Sequence, residues 1–370
     1  MSAAADGALR RDLTELMLIP GLSGHEERVA AALRARLGAA GLSHRTDRAG
    51  NLIATAEGAP GFPSVMLYAH MDQLGFVVRR IEPDGLIRVE RLGGVPERAM
   101  AAQPVLLCGA RGDLPGVIGN MSHHATPPEE KYRVLTTREI YIDAGFASRA
   151  AAEAAGIAIG TPVVWAPRAA ELAGGRIAGT AIDDRAGCAV VLDVARRRAG
   201  GKRRAGKGPT VHFVFSTQEE FNLRGAQVAA QVLQPDIAIQ IDLMLATDTP
   251  GMADRGEMTL GGGPGISLYS FHGRGTLNGT IPHPALVALF EKAAAGLGMP
   301  LQRQAQTGVL TDNAYVQLAG RGVACIDAGF PCRYTHSANE VCDLSDLGAL
   351  SRLIDAALDA IPRGMVLERG

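Results

Sequence analysis

The stretch SVMLYA at residues 64–69, closed by His70, runs almost without a polar break. A strand with one wet face alternates apolar and polar side chains, whereas a strand covered on both faces reads as a continuous apolar run. The stretch therefore predicts a strand in the middle of a sheet with material packed above and below it. The same texture returns in TVHFVFSTQ at 210–218, DIAIQI at 236–241 and VACIDA at 323–328. The patterns predict strands over 210–216, 236–241 and 322–327, separated by helices over 184–198, 224–233, 284–297 and 345–361. In the helix over 284–297, Leu286, Leu289, Phe290, Ala293 and Leu297 fall on one stripe. Strands alternating with helices predict an α/β fold, a mainly parallel central sheet with helices on both faces.

Around this framework two other textures appear. The chain opens with two helical segments; Ser23 and Glu26 have capping-box spacing, and Val29, Ala32, Leu33 and Leu37 recur at helical intervals. From about Gly75 to Trp165 the segments become short and turn-rich, and Pro83-Asp84-Gly85 between two candidate strands reads as a hairpin turn. A small β-rich domain, residues 74–173, is therefore expected as an insertion into a larger domain made of residues 1–73 and 174–370.

The 370 residues, 47% of them hydrophobic, can fill a large core and a smaller one. A formal net charge of −1 argues against nucleic acid or an anionic membrane as partner, since both attract a strongly basic face. The first eleven residues lack a signal-like apolar core, and no apolar run approaches the roughly 18 residues of a membrane span. A cytoplasmic, soluble protein is expected. The five cysteines, Cys108, Cys188, Cys325, Cys332 and Cys342, are odd in number and lack a C-x-x-C pair, which predicts reduced thiols. The basic stretch Arg196, Arg197, Arg198, Lys202, Arg203, Arg204 and Lys207 reads as a solvated helix end and loop.

The chemistry is expected where polar residues interrupt apolar strands. His70 and Asp72 follow the first strand, Glu219 and Glu220 follow the second, Asp242 closes the third, and His336 lies in the loop after the fourth. Open α/β sheets place their ligand sites beyond the carboxyl ends of such strands. Asp183 enters from the start of a helix, where it and Asp184 read equally well as helix caps. Two imidazoles and several carboxylates meeting in one crevice would repel and desolvate one another unless cations lay among them. Nitrogen and oxygen donors without sulfur suit zinc first, with cobalt or manganese as alternatives, and five ligands exceed what one catalytic zinc takes, which favours two divalent ions. Residues two apart on extended backbone point the same way, so Asp72 can orient the His70 imidazole. Adjacent Glu219 and Glu220 point apart, so that one can bind metal while the other serves as general base. His25, His44, His212, His272 and His283 read as structural or surface residues. His123 and His124 read the same way, with reach to a neighbouring subunit's site as the alternative.

Taken together these segments resemble the tetrahedral (TET) aminopeptidases, a family that includes glutamyl and deblocking aminopeptidases and is sometimes labelled endoglucanase or cellulase M. The resemblance is carried by IPGLSGHEERV, DRAGNLI, VMLYAHMDQLGF, GVIGNMSHH, IYIDAGFAS, AGTAIDDRAGCAVVL, FSTQEEFNLRGA, PDIAIQIDLMLATDTPG and RYTHSANE, in this order through nearly the whole chain. It implies that Asp183 bridges two metals, with His70 and Asp242 on one ion, Glu220 and His336 on the other, and Glu219 as base. Thr311 and Asp312 are candidate substrate-binding residues. The resemblance further implies aminopeptidase action on short peptides, a small barrel-like domain used in assembly, and self-association from dimers to a hollow tetrahedral dodecamer. Gln73, Phe221-Asn222 and LTDNA at 310–314 depart from the family pattern and bear on substrate preference. The rival readings are an N-acyl deacylase or carboxypeptidase on the same site, an endoglucanase, and a noncatalytic assembly protein. Two adjacent glutamates cannot easily flank a glycosidic bond at the roughly 5–9 Å separation that glycosidases need.

Overall fold

The computed structural model describes residues 3–200, 207–273 and 278–369. Strand Val65–His70 lies within a twelve-stranded sheet, and all six of its residues are buried. It pairs in parallel with Val211–Ser216 on one side and Ile237–Leu245 on the other, and the latter pairs in parallel with Ala324–Arg333. Alternation along Val65–His70 explains the unbroken apolar run: Val65, Leu67 and Ala69 join one core, whereas Met66 and Tyr68 join another on the opposite face. The first core is closed by helices Ala3–Met17, Glu27–Ala39, Ile182–Gly200, Pro284–Leu297 and Leu344–Ala360, and the second by Gly225–Leu233 and Asn313–Val316. Helices thus cover both faces of a parallel centre, as the sequence predicts.

On both flanks of that centre the pairing becomes antiparallel, while off this path Gly265–Phe271 pairs antiparallel with Ala324–Arg333 and in parallel with Gln302–Thr307. Leu52–Ala56 and His44–Thr46 extend one side, and Glu340–Asp343, Arg176–Gly179 and Ala169–Leu172 extend the other. These strands are short and half polar, so their sequences carry little periodic signal. Strand Ile237–Leu245 also runs four residues past the predicted end at 241, because its ladder with Ala324–Arg333 continues to Leu245 opposite Cys332. Asp242 therefore lies inside a strand, level with Gly329.

Six strands between Gly75 and Trp165 close into a barrel in the order Gly75–Ile81, Ile87–Leu92, Tyr141–Asp143, Gly112–Gly119, Pro104–Gly109, Pro162–Trp165. Phe76, Val89, Val105, Leu107, Ile118, Ile142 and Trp165 fill it, with Phe76 and Trp165 edge to face at 5.3 Å. Gly85 turns the first hairpin at φ 91°, as its position in Pro83-Asp84-Gly85 predicts.

Two local expectations are corrected. Ser23 and Glu26 do not form a capping box: Glu26 is itself the residue before the helix, and its carboxylate accepts from the Gly24 and Gln218 amides, while the Ser23 hydroxyl donates to Asp72. Both side chains are drawn to the buried polar site beside them rather than to the helix end. Arg196, Arg197 and Arg198 are also not merely solvated. They pair with Asp12, with Asp193 and Ser351, and with Asp355 and Asp359, joining helix Ile182–Gly200 to Ala3–Met17 and Leu344–Ala360. Lys202, Arg203 and Arg204 lie outside the described residues.

Candidate metal centre

The parallel strands end on a common edge, and the acidic residues and histidines collect there. His70 terminates Val65–His70 and is buried, with its Nε2 3.1 Å from Asp183 Oδ1 and its Nδ1 3.2 Å from the Asp72 carbonyl and 3.5 Å from Asp72 Oδ1. Asp72 is fully enclosed. Its Oδ1 accepts from the Glu219 amide and its Oδ2 from the Glu220 amide, both at 3.0 Å, and Ser23 donates to Oδ2 as well. One carboxylate thereby binds the loop that carries both glutamates to the strand that carries His70.

Asp183 occupies the middle. Its second oxygen faces His336 Nε2 at 3.5 Å and accepts from the Thr335 hydroxyl at 3.2 Å. His336 also lies 3.9 Å from Glu220, and its Nδ1 is 3.1 Å from the Gly94 carbonyl in the barrel segment. Position separates Asp183 from Asp184, which both read as helix caps in the sequence. Asp184 caps the helix, accepting from the Gly187 amide at 2.9 Å and the His70 amide at 3.3 Å, and Asp183 turns into the site. Eight non-glycine residues among those described have positive φ, and Ala181, Gln218, Asn222, Leu223, Tyr334 and His336 flank this cluster. Concentrated strain of this kind is a mark of functional sites.

Two three-donor groups result, His70 with Asp183 and Asp242, and Asp183 with Glu220 and His336; within each the donor atoms lie within 4.8 Å of one another. Their electrostatics are those of a site built around positive charge. Burial, joined by the Asp183 charge, pushes Asp242 and Glu220 well above the ordinary carboxylate range. Glu219 is pushed up too, by burial and then by Glu220 against the opposing pull of His70. Burial alone would raise Asp183, yet the imidazoles of His70 and His336 hold it below its usual value. Burial would lower His70, but hydrogen bonds to Asp183 and Asp72 raise it. Buried Glu220 Oε1 has no hydrogen-bond partner among the described residues. An oxygen-rich set with an orphaned carboxylate oxygen and two imidazoles fits a pair of divalent cations.

A cavity of about 520 Å³ opens over the cluster, lined by Asp183, Glu219, Glu220, Asp242 and His336 together with apolar Leu243, Leu245, Val309 and Leu310. Thr311 also lines it and donates to Asp327 at 3.2 Å, whereas Asp312 is fully buried behind the wall, beside Ser216 at 3.4 Å. Of the departures from the family pattern, Asn222 and Leu310 reach the cavity, and Phe221 lies outside under the Arg224 guanidinium. Gln73 is buried away from it, accepting from Arg185 at 3.2 Å. His272, expected to be structural or at the surface, lies on the cavity wall, and its buried Nδ1 has no hydrogen-bond partner among the described residues. Its signal was its place after strand Gly265–Phe271. Glu340 was also missed. It accepts from the amides of Asp183 and His336 at 3.0 and 2.8 Å, and burial, then the Asp183 charge, raises it to about 8. It closes the RYTHSANE segment. His123 and His124 are exposed on the barrel segment and stack edge to face at 5.9 Å, and neither lines this cavity.

A carboxylate-rich pair of donor groups at the carboxyl edge of a parallel sheet, with a further carboxyl beside it, defines the class of metal-dependent hydrolases. The chain belongs to the M42 glutamyl aminopeptidase family, whose pattern it matches over residues 50–353. It is 36% identical to SgcX of Escherichia coli (strain K12), provisionally named an aminopeptidase, across 94% of this chain and 93% of that protein. The solved structure of aminopeptidase APDkam598 from the archaeon Desulfurococcus kamchatkensis superposes with a TM-score of 0.88 at 32% identity, covering 96% of this chain and 95% of the other. The Pyrococcus horikoshii TET1 peptidase, described as able to assemble into a tetrahedron or a large octahedral shell, superposes with a TM-score of 0.83 at 26% identity, covering 95% and 99%. The protein is a metal-dependent aminopeptidase. No helix among the described residues is long and apolar enough to cross a membrane.

Proposed function

We propose that this aminopeptidase holds one divalent ion with His70, Asp183 and Asp242 and a second with Asp183, Glu220 and His336, and that Glu219 is its general base. The observation that carries the reading is the meeting of the two donor groups at Asp183. Zinc is the proposed metal, with cobalt or manganese as alternatives. When bound, the two cations supply Lewis-acid chemistry, acidifying water and polarising the scissile carbonyl of a peptide. The chain's own residues do the rest. Glu219 lines the cavity and stands 4.0 Å from His70, where its carboxylate accepts a proton from the attacking water and returns it to the departing amine. Asp72 holds the His70 ring and the Glu219–Glu220 backbone. Thr311 presents a polar group to the substrate from the wall.

The proposed substrates are short peptides with a free amino terminus. The proposed division of the chain is residues 1–73 and 174–370 for catalysis and 74–173 for assembly, supported by a barrel with its own core. Self-association toward a tetrahedral particle is proposed by analogy with the Pyrococcus peptidase, and a cytoplasmic location from the cysteines, which the sequence reads as reduced thiols. The deciding experiment is Glu219→Gln. The variant should retain two equivalents of metal and lose turnover on aminoacyl amides by about 10²–10⁴-fold. Full activity would refute the assignment, and preference for N-blocked substrates in the parent protein would favour a deacylase.

A further inference from the structure

Behind the site, on the side away from the cavity, runs a chain of buried hydrogen bonds that no part of the reaction uses directly. Gln240 is two residues before Asp242 on strand Ile237–Leu245, and its Nε2 donates to Asp242 Oδ2 at 3.1 Å. Its Oε1 accepts from the Asn313 backbone amide at 2.9 Å. A backbone N–H can only donate, so this contact sets which way the carboxamide faces and leaves its NH2 group for Asp242. The Tyr68 hydroxyl lies 2.6 Å from Asn313 Oδ1 and 3.1 Å from Gln240 Oε1; its single proton goes to the nearer Asn313 oxygen, and it packs beside Gln240 Oε1, which the Asn313 amide already serves. Asn313 is oriented in turn because its Nδ2 donates to the Ile326 carbonyl at 3.1 Å and to Asp327 Oδ1 at 2.6 Å. Tyr68, Gln240 and Asn313 are completely buried and Asp327 nearly so.

We infer that Gln240, held by Tyr68 and Asn313, is a positioning residue that orients the Asp242 carboxylate toward one of the two ions and leaves the other ion untouched. This rests on the assignment of Asp242 as a ligand. The direction of every bond in the chain is forced by its neighbours, so Asp242 meets a donor at Oδ2 and another, the Leu243 amide at 2.6 Å, at Oδ1. Two donors on two oxygens fix the plane of the carboxylate. Asp242 belongs only to the group with His70 and Asp183, and no member of the chain contacts Glu220 or His336 through these bonds. A purely structural role would not distinguish the two ions.

The test uses the full chain stripped of metal and titrated with zinc against a chromophoric chelator, so that both binding steps are read without an activity assay. His70→Ala identifies the step that belongs to the Asp242 side. Gln240→Met keeps the volume and removes both polar ends, and Tyr68→Phe removes a single hydroxyl if the first variant folds poorly. Each should weaken that step by about 10–100-fold, the usual effect of losing a partner of a metal ligand, and leave the other step within about threefold. Wild-type affinity at both steps, or equal weakening of both, would overturn the inference. A parent protein that binds fewer than two zinc ions would refute the two-metal reading itself.

Discussion

Replacing Asp72 by Asn tests whether one buried carboxylate organises the site. Its two oxygens accept from Ser23 and from the Glu219 and Glu220 amides, and Oδ1 lies 3.5 Å from His70 Nδ1. An amide of the same shape has one acceptor oxygen, so its NH2 group must face a backbone N–H, leaving either Glu219 N or Glu220 N without a partner. An orphaned buried amide costs about 1–3 kcal/mol. Bonds to the remaining oxygen lose their charge assistance, and the positive charge that Asp72 favours on His70 loses a partner. Removing one member of a buried pair costs about 3–5 kcal/mol, and we take about 3 kcal/mol as the local effect. A chain whose barrel has a core apart from those of the large sheet need not unfold in one step, so the loss is best read locally, as amide hydrogen exchange at residues 217–223 of metal-free protein. At about 1.4 kcal/mol per tenfold, protection there should fall by roughly 100-fold. Exchange within threefold of the parent protein would show that Asp72 does not hold this loop.

Two further perturbations probe the scaffold. A Cβ at Gly329 would stand 2.0 Å from the Asp242 carbonyl oxygen, a backbone atom that cannot move without opening the ladder between the third and fourth parallel strands; Gly329→Ala should lower the melting temperature by about 5–10 °C, and an unchanged melting curve would refute the packing argument. Asp346, which accepts from the Gly261 and Gly263 amides at 2.8 Å, is raised by burial to about 6 from the ordinary 3.8. Because the folded value lies above the unfolded one, its contribution to stability is fully present below pH 3.8 and is lost as pH rises through 6. Asp346→Asn should therefore flatten the pH dependence of urea unfolding between pH 4 and 6, and an unaltered slope would count against it.

Continuous apolar runs bounded by helical stripes were enough to expose the parallel centre of the sheet, because burial on both faces selects apolar side chains along Val65–Ala69 and Ile237–Ile241, apart from the hydrogen-bonded Tyr68 hydroxyl and Gln240. The same logic made His70 and Asp242 candidates, since a polar residue ending such a run must have a reason to be buried. Short flanking strands such as Ala169–Leu172 and Glu340–Asp343 were not legible: their edges are stabilised by neighbours distant in the chain, and their sequences carry no period.

Side-chain roles depended still more on tertiary structure. From spacing, Ser23 and Glu26 formed a cap, and Asp183, the candidate ligand, read equally well as a cap like Asp184 beside it. The fold turned Ser23 to Asp72, made Asp184 the cap and placed Asp183 between two imidazoles. His272, Glu340 and the Gln240 chain came to notice only when segments distant in the sequence were brought together, as Tyr68 and Asn313 are across 245 residues. Periodicity reports which face of an element is buried, because burial acts on each residue through its own immediate environment. Which polar groups meet is a relation between separate segments, and only the closed sheet supplies it.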